Sequence, residues 1–455
     1  MIHEGEFRDQ VSLTRPSVSY LRSASGMMLS IQSRPRSIFD VDAEDAAASG
    51  LCVQCRGSKF LCGKERCPIL VKYDYMMKTQ PLIDTLRLDG SSPPGVFVGR
   101  FGYPKVFVGP LVPPVHDDTT IMDLPELWLD RSLDEIVSFR SQLVRGMHRV
   151  HVMDVEVGGK VVDLTRELAM SRSVTDVEVE FRRKPQGRLV LDDDVQPFGP
   201  SAPVEAMDVA NYKIDQKIDK AYSDTDLKAV EAVLSLYRGE IPVSKIQRAF
   251  SVGAFGLEKN RKFVPTRWSI TAVDDTIGKN IREKVKTFPL VNEFRVYECI
   301  GFDDRFLILM MPRAWMYELI EAWYPGTVWN PTGRETWLIS SHEYYGGRTT
   351  YADIGGCYYA ARLAVAEHLE QEKRQAATVI LRETHPGYIM PIGVWNVREH
   401  VREALRRPPW RFNTIDEAFR LLSTRLDIPM ARYVRQSEII RHMLHQRTMD
   451  DYSGR

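Results

Sequence analysis

The chain has 455 residues, more than one compact core usually holds, so two or more domains are expected. Hydrophobic residues make up 44% and charged residues 27%, values that are ordinary for a globular protein. The 61 lysines and arginines balance 61 aspartates and glutamates, which argues against a protein that coats nucleic acid through its overall charge. No apolar stretch reaches the length of about 18 residues that a membrane helix needs, and no secretory signal is recognisable. We therefore expect no membrane partner and a cytoplasmic location.

Residues 1–50 show no clear hydrophobic period and are rich in Ser, Arg and Ala. We predict a poorly ordered N-terminal extension there, with Met27 or Met28 as an alternative start of the chain.

Residues 51–70 hold four of the six cysteines, in the spacing C-x2-C-x6-C-x4-C. Thiols stay reduced inside cells, so a cluster of them indicates a bound metal rather than disulfides. Four thiolates at this spacing can surround one Zn²⁺ as a tetrahedron, and the metal would fold a segment that has few apolar residues. An iron–sulfur cluster is the alternative, because Pro68 follows the last cysteine as in ferredoxins. The prediction is one structural zinc per chain in a knuckle formed by Cys52, Cys55, Cys62 and Cys67.

The next segment mixes strands and helices. VFVGR and KVFVGPLV predict two strands, joined by FGYP as a hairpin-like unit. SLDEIVSFRSQLVRG predicts a helix that begins with a capping box of Ser132 and Glu135 and stops at Arg145-Gly146. SDTDLKAVEAVLSLYRG predicts another helix, with Asp224 or Ser223 near its N-cap and Gly239 just past its end.

The second half also alternates between the two types of element. NEFRVYECIGFDDRFLILMMP predicts two strands around a turn at 301–304, and GGCYYAARLAVAEHLEQEKRQ predicts a helix. Because strands and helices are mixed without the regular alternation of a doubly wound sheet, we predict an α+β fold of two domains. The predicted limits are an extension at 1–50, the knuckle at 51–70, α+β domains at 71–300 and 301–430, and a terminal helix with tail at 431–455.

The sequence FVPTRWSITAVDD at 263–275 predicts a short strand that ends in Asp274 and Asp275. Two carboxylates at a strand end can hold Mg²⁺ or Mn²⁺, and with Glu343 and Asp353 they are the candidate ligands of a catalytic metal. The alternative is a surface turn, because aspartates often begin turns.

Four arginines are candidate contacts for nucleic acid: Arg267, Arg348, Arg362 and Arg398. Two of them flank a glycine pair that leads into a helix, where backbone N–H groups can receive a phosphate, and Arg398 begins a basic helical repeat. The alternatives are ordinary loop glycines and a solvated helical face.

Several segments together resemble one known family. They are LCVQCRGSKFLCGKERCPIL, GRFGYPKVFVGP, VPTRWSITAVDD and the block from YYGGRTTYADIGG to IGVWNVRE. On these segments the chain resembles the archaeal Nre DNA repair family over roughly residues 50–420. The resemblance implies a role in DNA damage repair, a zinc-finger-like segment of four cysteines and, in many members, a C-terminal peptide that binds the replication sliding clamp (PCNA). It implies no firm catalytic mechanism.

The last residues fit the clamp-binding pattern Q-x-x-h-x-x-a, with Gln446, Met449 and Tyr452 at the three defined positions. A 3₁₀ turn would place Met449 and Tyr452 on one side as an apolar plug. Ser453 replaces the usual second aromatic residue, a loss of about 2 kcal/mol of apolar burial. The alternative is a frayed polar tail.

Two hypotheses of function follow. The first is a DNA repair protein that works with the sliding clamp and has DNA as a second partner; the second is a metal-dependent nuclease or another nucleic-acid-processing enzyme. Convergence of the four candidate carboxylates in one basic cleft would favour the enzyme, and ion pairs with arginines of the same fold would favour the first hypothesis.

Overall fold

The computed structural model describes residues 55, 58–61, 66–187, 198–327, 329–330 and 333–445. Three sequence predictions concern residues outside this part of the chain. They are the extension at 1–50, the knuckle residues Cys52 and Cys62, and the tail residues Gln446, Met449 and Tyr452.

Six strands of the first half form one mixed sheet. They are β1 (Arg87–Ser92), β2 (Val96–Val98), β3 (Lys105–Val112), β4 (Val144–His151), β5 (Thr175–Phe181) and β6 (Ser201–Ala210). Their order across the sheet is β1-β5-β6-β4-β3-β2, and β4 pairs with β6 in parallel while the other pairs are antiparallel. The β2–β3 hairpin confirms the unit predicted around FGYP.

Seven helices accompany these strands in the described part of the first half. They are α1 (Pro68–Thr79), α2 (Leu133–Gln142), α3 (Lys160–Met170), α4 (Gln216–Ser223), α5 (Ala229–Arg238), α6 (Val243–Ser251) and α7 (Thr266–Val285). The capping box of α2 is confirmed, because the Ser132 hydroxyl accepts from Glu135 N and the Glu135 carboxylate accepts from Ser132 N. Gly239 caps the end of α5 as predicted, but the start predicted at Ser223 or Asp224 is wrong, because Ser223 ends α4 and α5 begins at Ala229. The stop predicted at Arg145-Gly146 is wrong: α2 already ends at Gln142, because β4 then pairs with β3.

The strand predicted at 263–275 is also wrong. Pro265 caps α7, a helix of 20 residues. Its buried side chains recur every four residues, which is the period of a helical face. These side chains are Ser269, Val273, Ile277, Ile281 and Val285. The period is visible only when the window extends past the two aspartates, which is why the shorter segment was misread.

The second half builds another six-stranded mixed sheet. Its strands are β7 (Phe294–Gly301), β8 (Asp304–Met311), β9 (Met316–Trp323), β10 (Trp337–Glu343), β11 (Ala377–Thr384) and β12 (Trp410–Phe412). The order is β10-β9-β11-β8-β7-β12, with β11 parallel to β9. Its helices are α8 (Gly356–Glu372), α9 (Trp395–Arg406), α10 (Ile415–Arg425), α11 (Met430–Gln436) and α12 (Glu438–His445). The predicted β7–β8 hairpin and the predicted α+β class are thus both confirmed for the described residues.

The second sheet is covered on both faces. Ile308 and Met310 of β8 belong to a core that continues through α7 and α8 into the first sheet. The intervening residues Leu307 and Leu309 face a separate core formed with α10 to α12. Strand residues alternate between faces, so one strand serves both cores. Among the described residues, no helix has the length and apolar character that a membrane crossing requires.

Candidate nucleic-acid interface

Asp274, the first candidate metal ligand, lies on the buried side of α7. Arg398 Nη1 of α9 donates to its Oδ1 over 3.0 Å, and Gln247 Nε2 of α6 donates to the same oxygen over 2.9 Å. Burial raises the pKa of Asp274 to about 6, even with Arg398 beside it. The carboxylate therefore joins three helices and has no exposed face for a metal ion.

Glu343 is held in a second ion-pair group at the end of β10. Arg282 and Arg362 contact its carboxylate over 3.3 and 3.0 Å, and the Trp315 indole donates to it over 3.0 Å. Burial opposes ionisation of Glu343, but the two arginines hold its pKa below the usual value. Arg362 also binds Asp275, so a single guanidinium satisfies two of the candidate carboxylates.

Asp353 lies apart from both groups, on an exposed loop. It contacts Arg348 over 3.4 Å, and that guanidinium also donates to the carbonyls of His342 and Tyr351. Arg348 therefore supports the loop between β10 and α8. The four candidate carboxylates form three separate ion-pair groups and do not converge on one cleft, an arrangement that favours the first hypothesis over the nuclease.

Two of the predicted nucleic-acid contacts are enclosed in these groups. The side chains of Arg362 and Arg398 are each 1% exposed. A contact between either guanidinium and a DNA phosphate would require the packed helices to separate.

An exposed surface of aromatic and basic residues lies where the β2–β3 hairpin meets the start of α7. Phe101 and Tyr103 of the hairpin turn are 71% and 46% exposed. The Tyr103 ring lies 5.3 Å from the Trp268 ring of α7, measured between centroids. The guanidinium of Arg100 lies 5.0 Å from the centre of the Phe101 ring. We call Arg100, Phe101, Tyr103, Arg149 and Trp268 the hairpin-tip surface.

The hairpin-tip surface carries positive charge that the described residues do not neutralise. Arg149 of β4 lies beside the hairpin turn, because a Cβ at Gly102 would come within 4.0 Å of its Nη2. Among the described residues, neither Arg100 nor Arg149 forms an ion pair with a carboxylate. Arg267, the predicted nucleic-acid contact on the first turn of α7, is exposed next to Trp268. Rings and cations at one exposed edge are the combination that single-stranded nucleic acid requires.

The sequence signal for this surface lies in the turn of the β2–β3 hairpin. Gly102 adopts a positive φ of 82°, so the turn is tight and its neighbours project outward. Two rings within the turn of a hairpin, flanked by Arg100 and Lys105, are too far from the paired strands to join the core. Large apolar side chains in such a position indicate a binding surface.

One further cluster has the composition of a metal site. Oxygen or nitrogen atoms of Glu383, His385 and Asp427 lie within 4.8 Å of one another. Arg305 Nη1 contacts both Glu383 and Asp427 over 3.3 Å, and the backbone N–H of Ile428 donates to Glu383 over 3.0 Å. The negative charge is thus already matched by an arginine and by backbone donors, which makes the cluster a structural link between β11 and the loop after α10.

The described part of the cysteine segment contains one backbone turn, at Cys55. The carbonyl of Cys55 accepts from Ser58 N and Lys59 N over 3.1 and 3.2 Å, which forms a tight turn directly after this cysteine. Cys67 is the residue before α1 and forms no disulfide with a described residue. Arg66 pairs with Asp134 of α2 and anchors the end of the segment to the fold.

Comparisons with known proteins agree with each other. A family model described as "Archaeal Nre, N-terminal" matches residues 61–330, and one described as "Archaeal Nre, C-terminal" matches residues 343–452. The chain is 39% identical to the DNA repair protein NreB of Archaeoglobus fulgidus over 403 residues, which cover 88% of this chain and 99% of that relative. It is 35% identical to the DNA repair protein NreA of Haloferax volcanii over 361 residues, or 77% of this chain and 86% of that relative. No solved structure matches the chain.

Proposed function

Because the chain belongs to the archaeal Nre family, we propose that it is a DNA repair protein that binds DNA at the hairpin-tip surface and the sliding clamp through its C-terminal tail. The observation that carries the DNA part is the exposed ring of Phe101 beside arginines that lack carboxylate partners among the described residues.

Each component of the hairpin-tip surface has a role in DNA binding. Every base presents a flat face, so Phe101 and Tyr103 can stack on bases without regard to sequence. Arg100 and Arg149 can contact the phosphates on either side, and these contacts weaken as salt rises because counterions are released from DNA. The surface therefore suits unpaired strands at damaged or processed sites.

Removal of the most exposed ring tests the DNA part. We expect Phe101→Ala to weaken binding to single-stranded DNA by about tenfold, because one stacked base contributes about 1–3 kcal/mol. Fluorescence anisotropy with a labelled oligonucleotide measures this loss. Trp337→Ala is the matched control, since this ring on β10 is 50% exposed and lies outside the hairpin-tip surface. Equal affinity of both variants would disprove the assignment.

The geometry near the end of the chain supports a docking tail. Ile439 and Ile440 of α12 are buried against the second sheet. The carboxylate of Glu318 accepts from Glu438 N and Ile439 N over 3.0 and 3.1 Å and so caps the start of this helix. Residues 446–455 thus follow a helix that is fixed to the fold, which is a suitable attachment for a short clamp-binding peptide.

The tail is tested by titration of an archaeal sliding clamp. We expect the full chain to bind at micromolar clamp, and Tyr452→Ala to bind at least tenfold more weakly because it loses the aromatic plug. A form that ends at His445 should show no binding. If all three forms bind equally, or none binds, the tail is not a clamp ligand.

Zinc in the knuckle is tested by metal analysis of the purified chain. We expect about one zinc per chain, held by Cys52, Cys55, Cys62 and Cys67, and the loss of most of it in Cys55→Ser. Cys299→Ser is the control, because Cys299 is buried on β7 far along the chain. Visible absorption with iron in place of zinc would instead establish an iron–sulfur cluster.

A further inference from the structure

A small pocket opens beside the hairpin-tip surface, between β2, β4 and the start of α7. Its volume is about 70 Å³, and it is lined by Phe97, Arg140, Arg145, Phe198 and Thr266 among others. This space holds several water molecules or one compact polyatomic anion. Phe97 is on the strand that continues into the hairpin turn, and Thr266 lies two residues before Trp268, so the pocket and the hairpin-tip surface are built on the same elements.

The described residues around this pocket carry more positive than negative charge. Asp123 is the carboxylate at its edge, and it is shared by Arg140 over 2.6 Å and Arg248 over 2.9 Å. Arg145 makes no ion pair with any described carboxylate. The pocket lining thus contains two guanidinium groups, and only that of Arg140 is paired with a described carboxylate.

Two polar atoms of the pocket lack partners. Nε of Arg140 and Nε of Arg145 are both buried without a hydrogen bond to any described residue. A buried donor on a cation normally has an acceptor, and leaving it unpaired is unfavourable. Burial and the charge of Arg140 lower the pKa of Arg145 to about 9. Arg145 thus lies where an anion would relieve both the repulsion and the unmet hydrogen bonds.

The position of Arg145 is fixed by aromatic rings and by the backbone. Its guanidinium carbon lies 3.6 Å from the centre of the Phe198 ring and 4.9 Å from that of Phe97. Contact with rings occupies the faces of the guanidinium and leaves its edge for hydrogen bonds. Gly199 permits this placement, because a Cβ there would lie 2.3 Å from the carbonyl oxygen of Leu143.

The start of α7 contributes to the same pocket. Thr266 is the first residue of this helix, and its Oγ1 accepts from Val98 N over 3.0 Å. The Thr266 hydroxyl lies 3.5 Å from the Ser251 hydroxyl, a long contact that a ligand in the pocket could replace. The positive end of the helix dipole adds to the attraction for an anion.

We propose that this pocket binds a phosphate group, and that the group is the terminal phosphate of a DNA strand whose bases stack on the hairpin-tip surface. The assignment of the phosphate to DNA rests on the proposed function, whereas the phosphate site itself does not. A small pocket on the elements that carry the stacking rings suits a strand end, because a phosphate within a continuous strand carries a nucleoside on both sides.

The test compares oligonucleotides that differ only at their ends. Anisotropy titrations use one single-stranded sequence with a 5′-phosphate, a 3′-phosphate or only hydroxyl ends, and inorganic phosphate is tested by calorimetry. We expect the chain to prefer one phosphorylated end by at least tenfold, since hydrogen bonds to a charged group contribute about 1.5–3 kcal/mol. Arg145→Met should abolish this preference, and Arg145→Lys should retain part of it because lysine keeps the charge but not the planar fork.

Arg149→Met is the matched control, because it removes the same charge from the same strand but outside the pocket. It should weaken the binding of all three oligonucleotides alike and leave the ratios of their affinities unchanged.

The terminal-phosphate proposal is overturned if the wild-type chain shows no preference for a phosphorylated end, or if Arg145→Met keeps that preference. Binding of inorganic phosphate without binding of any oligonucleotide would support the phosphate pocket and disprove the DNA surface. Failure of phosphate to bind the full chain would overturn the pocket itself.

Discussion

Replacement of Arg382 by methionine is expected to lower the free energy of unfolding by about 3–5 kcal/mol, the usual cost of removing one partner from a buried ion pair. Arg382 lies on β11 and is 2% exposed. Its Nη2 contacts Asp304 over 2.6 Å and its Nη1 contacts Glu321 over 2.8 Å. Both carboxylates are buried, so the substitution leaves two charges without a cation.

This loss should be visible by urea or thermal denaturation. A decrease of about 4 kcal/mol corresponds to roughly 5 °C in Tm for a chain of this size, because the entropy of unfolding grows with length. Arg87→Met is the matched control: Arg87 and Glu180 form an exposed pair on the first sheet, 71% and 45% exposed, so its loss should change stability by less than about 1 kcal/mol. If Arg382→Met lowers the free energy of unfolding by no more than the control does, water must reach the buried ion pair.

The second large effect concerns Asp274, and it separates a structural carboxylate from a catalytic one. We expect Asp274→Ala to lose about 3 kcal/mol or more of stability, because Arg398 then keeps its charge in a fully buried site. Arg398→Met should lose a similar amount. The stability lost by the double variant should be smaller, by at least about 1 kcal/mol, than the sum of the losses of the two single variants, since residues in direct contact are coupled.

Nuclease assays on the same variants complete this test. With Mg²⁺ or Mn²⁺ present, any cleavage of nicked or flapped DNA should fall in Asp274→Ala only as far as the folded fraction of the protein falls. A variant that stays as stable as the wild-type chain but loses metal-dependent cleavage would instead identify Asp274 as a metal ligand and restore the nuclease hypothesis.

Elements whose signals are local were predicted well. The capping box at Ser132 and Glu135 involves residues three positions apart, and both hydrogen bonds form as expected. The turn between β7 and β8 is also local, with Phe302 and Asp303 at positive φ between two apolar strands. In each case the atoms that decide the conformation lie within a few residues of one another.

Predictions failed where a segment was too short to show its period. The run at 263–275 was interpreted as a strand because the window ended at Asp275, although the buried positions continue to Val285 at helical spacing. The stop at Arg145-Gly146 failed for a related reason. Gly is a common helix terminator, but pairing of Val144 with Val112 ends α2 earlier.

By itself the sequence determined the α+β class, the capping box of α2 and the glycine at the end of α5, because these depend on hydrophobic period, capping and composition along the chain. Only the tertiary structure decided what each charge does. The sequence pattern places Arg398 on a basic helical face, yet in the fold it is paired with Asp274, 124 residues earlier in the chain. Arg145 has no unusual neighbours in sequence, yet folding places it between two rings and beside Arg140. Charges act over a few ångströms in space, and separation along the chain does not reveal which groups will meet at that distance.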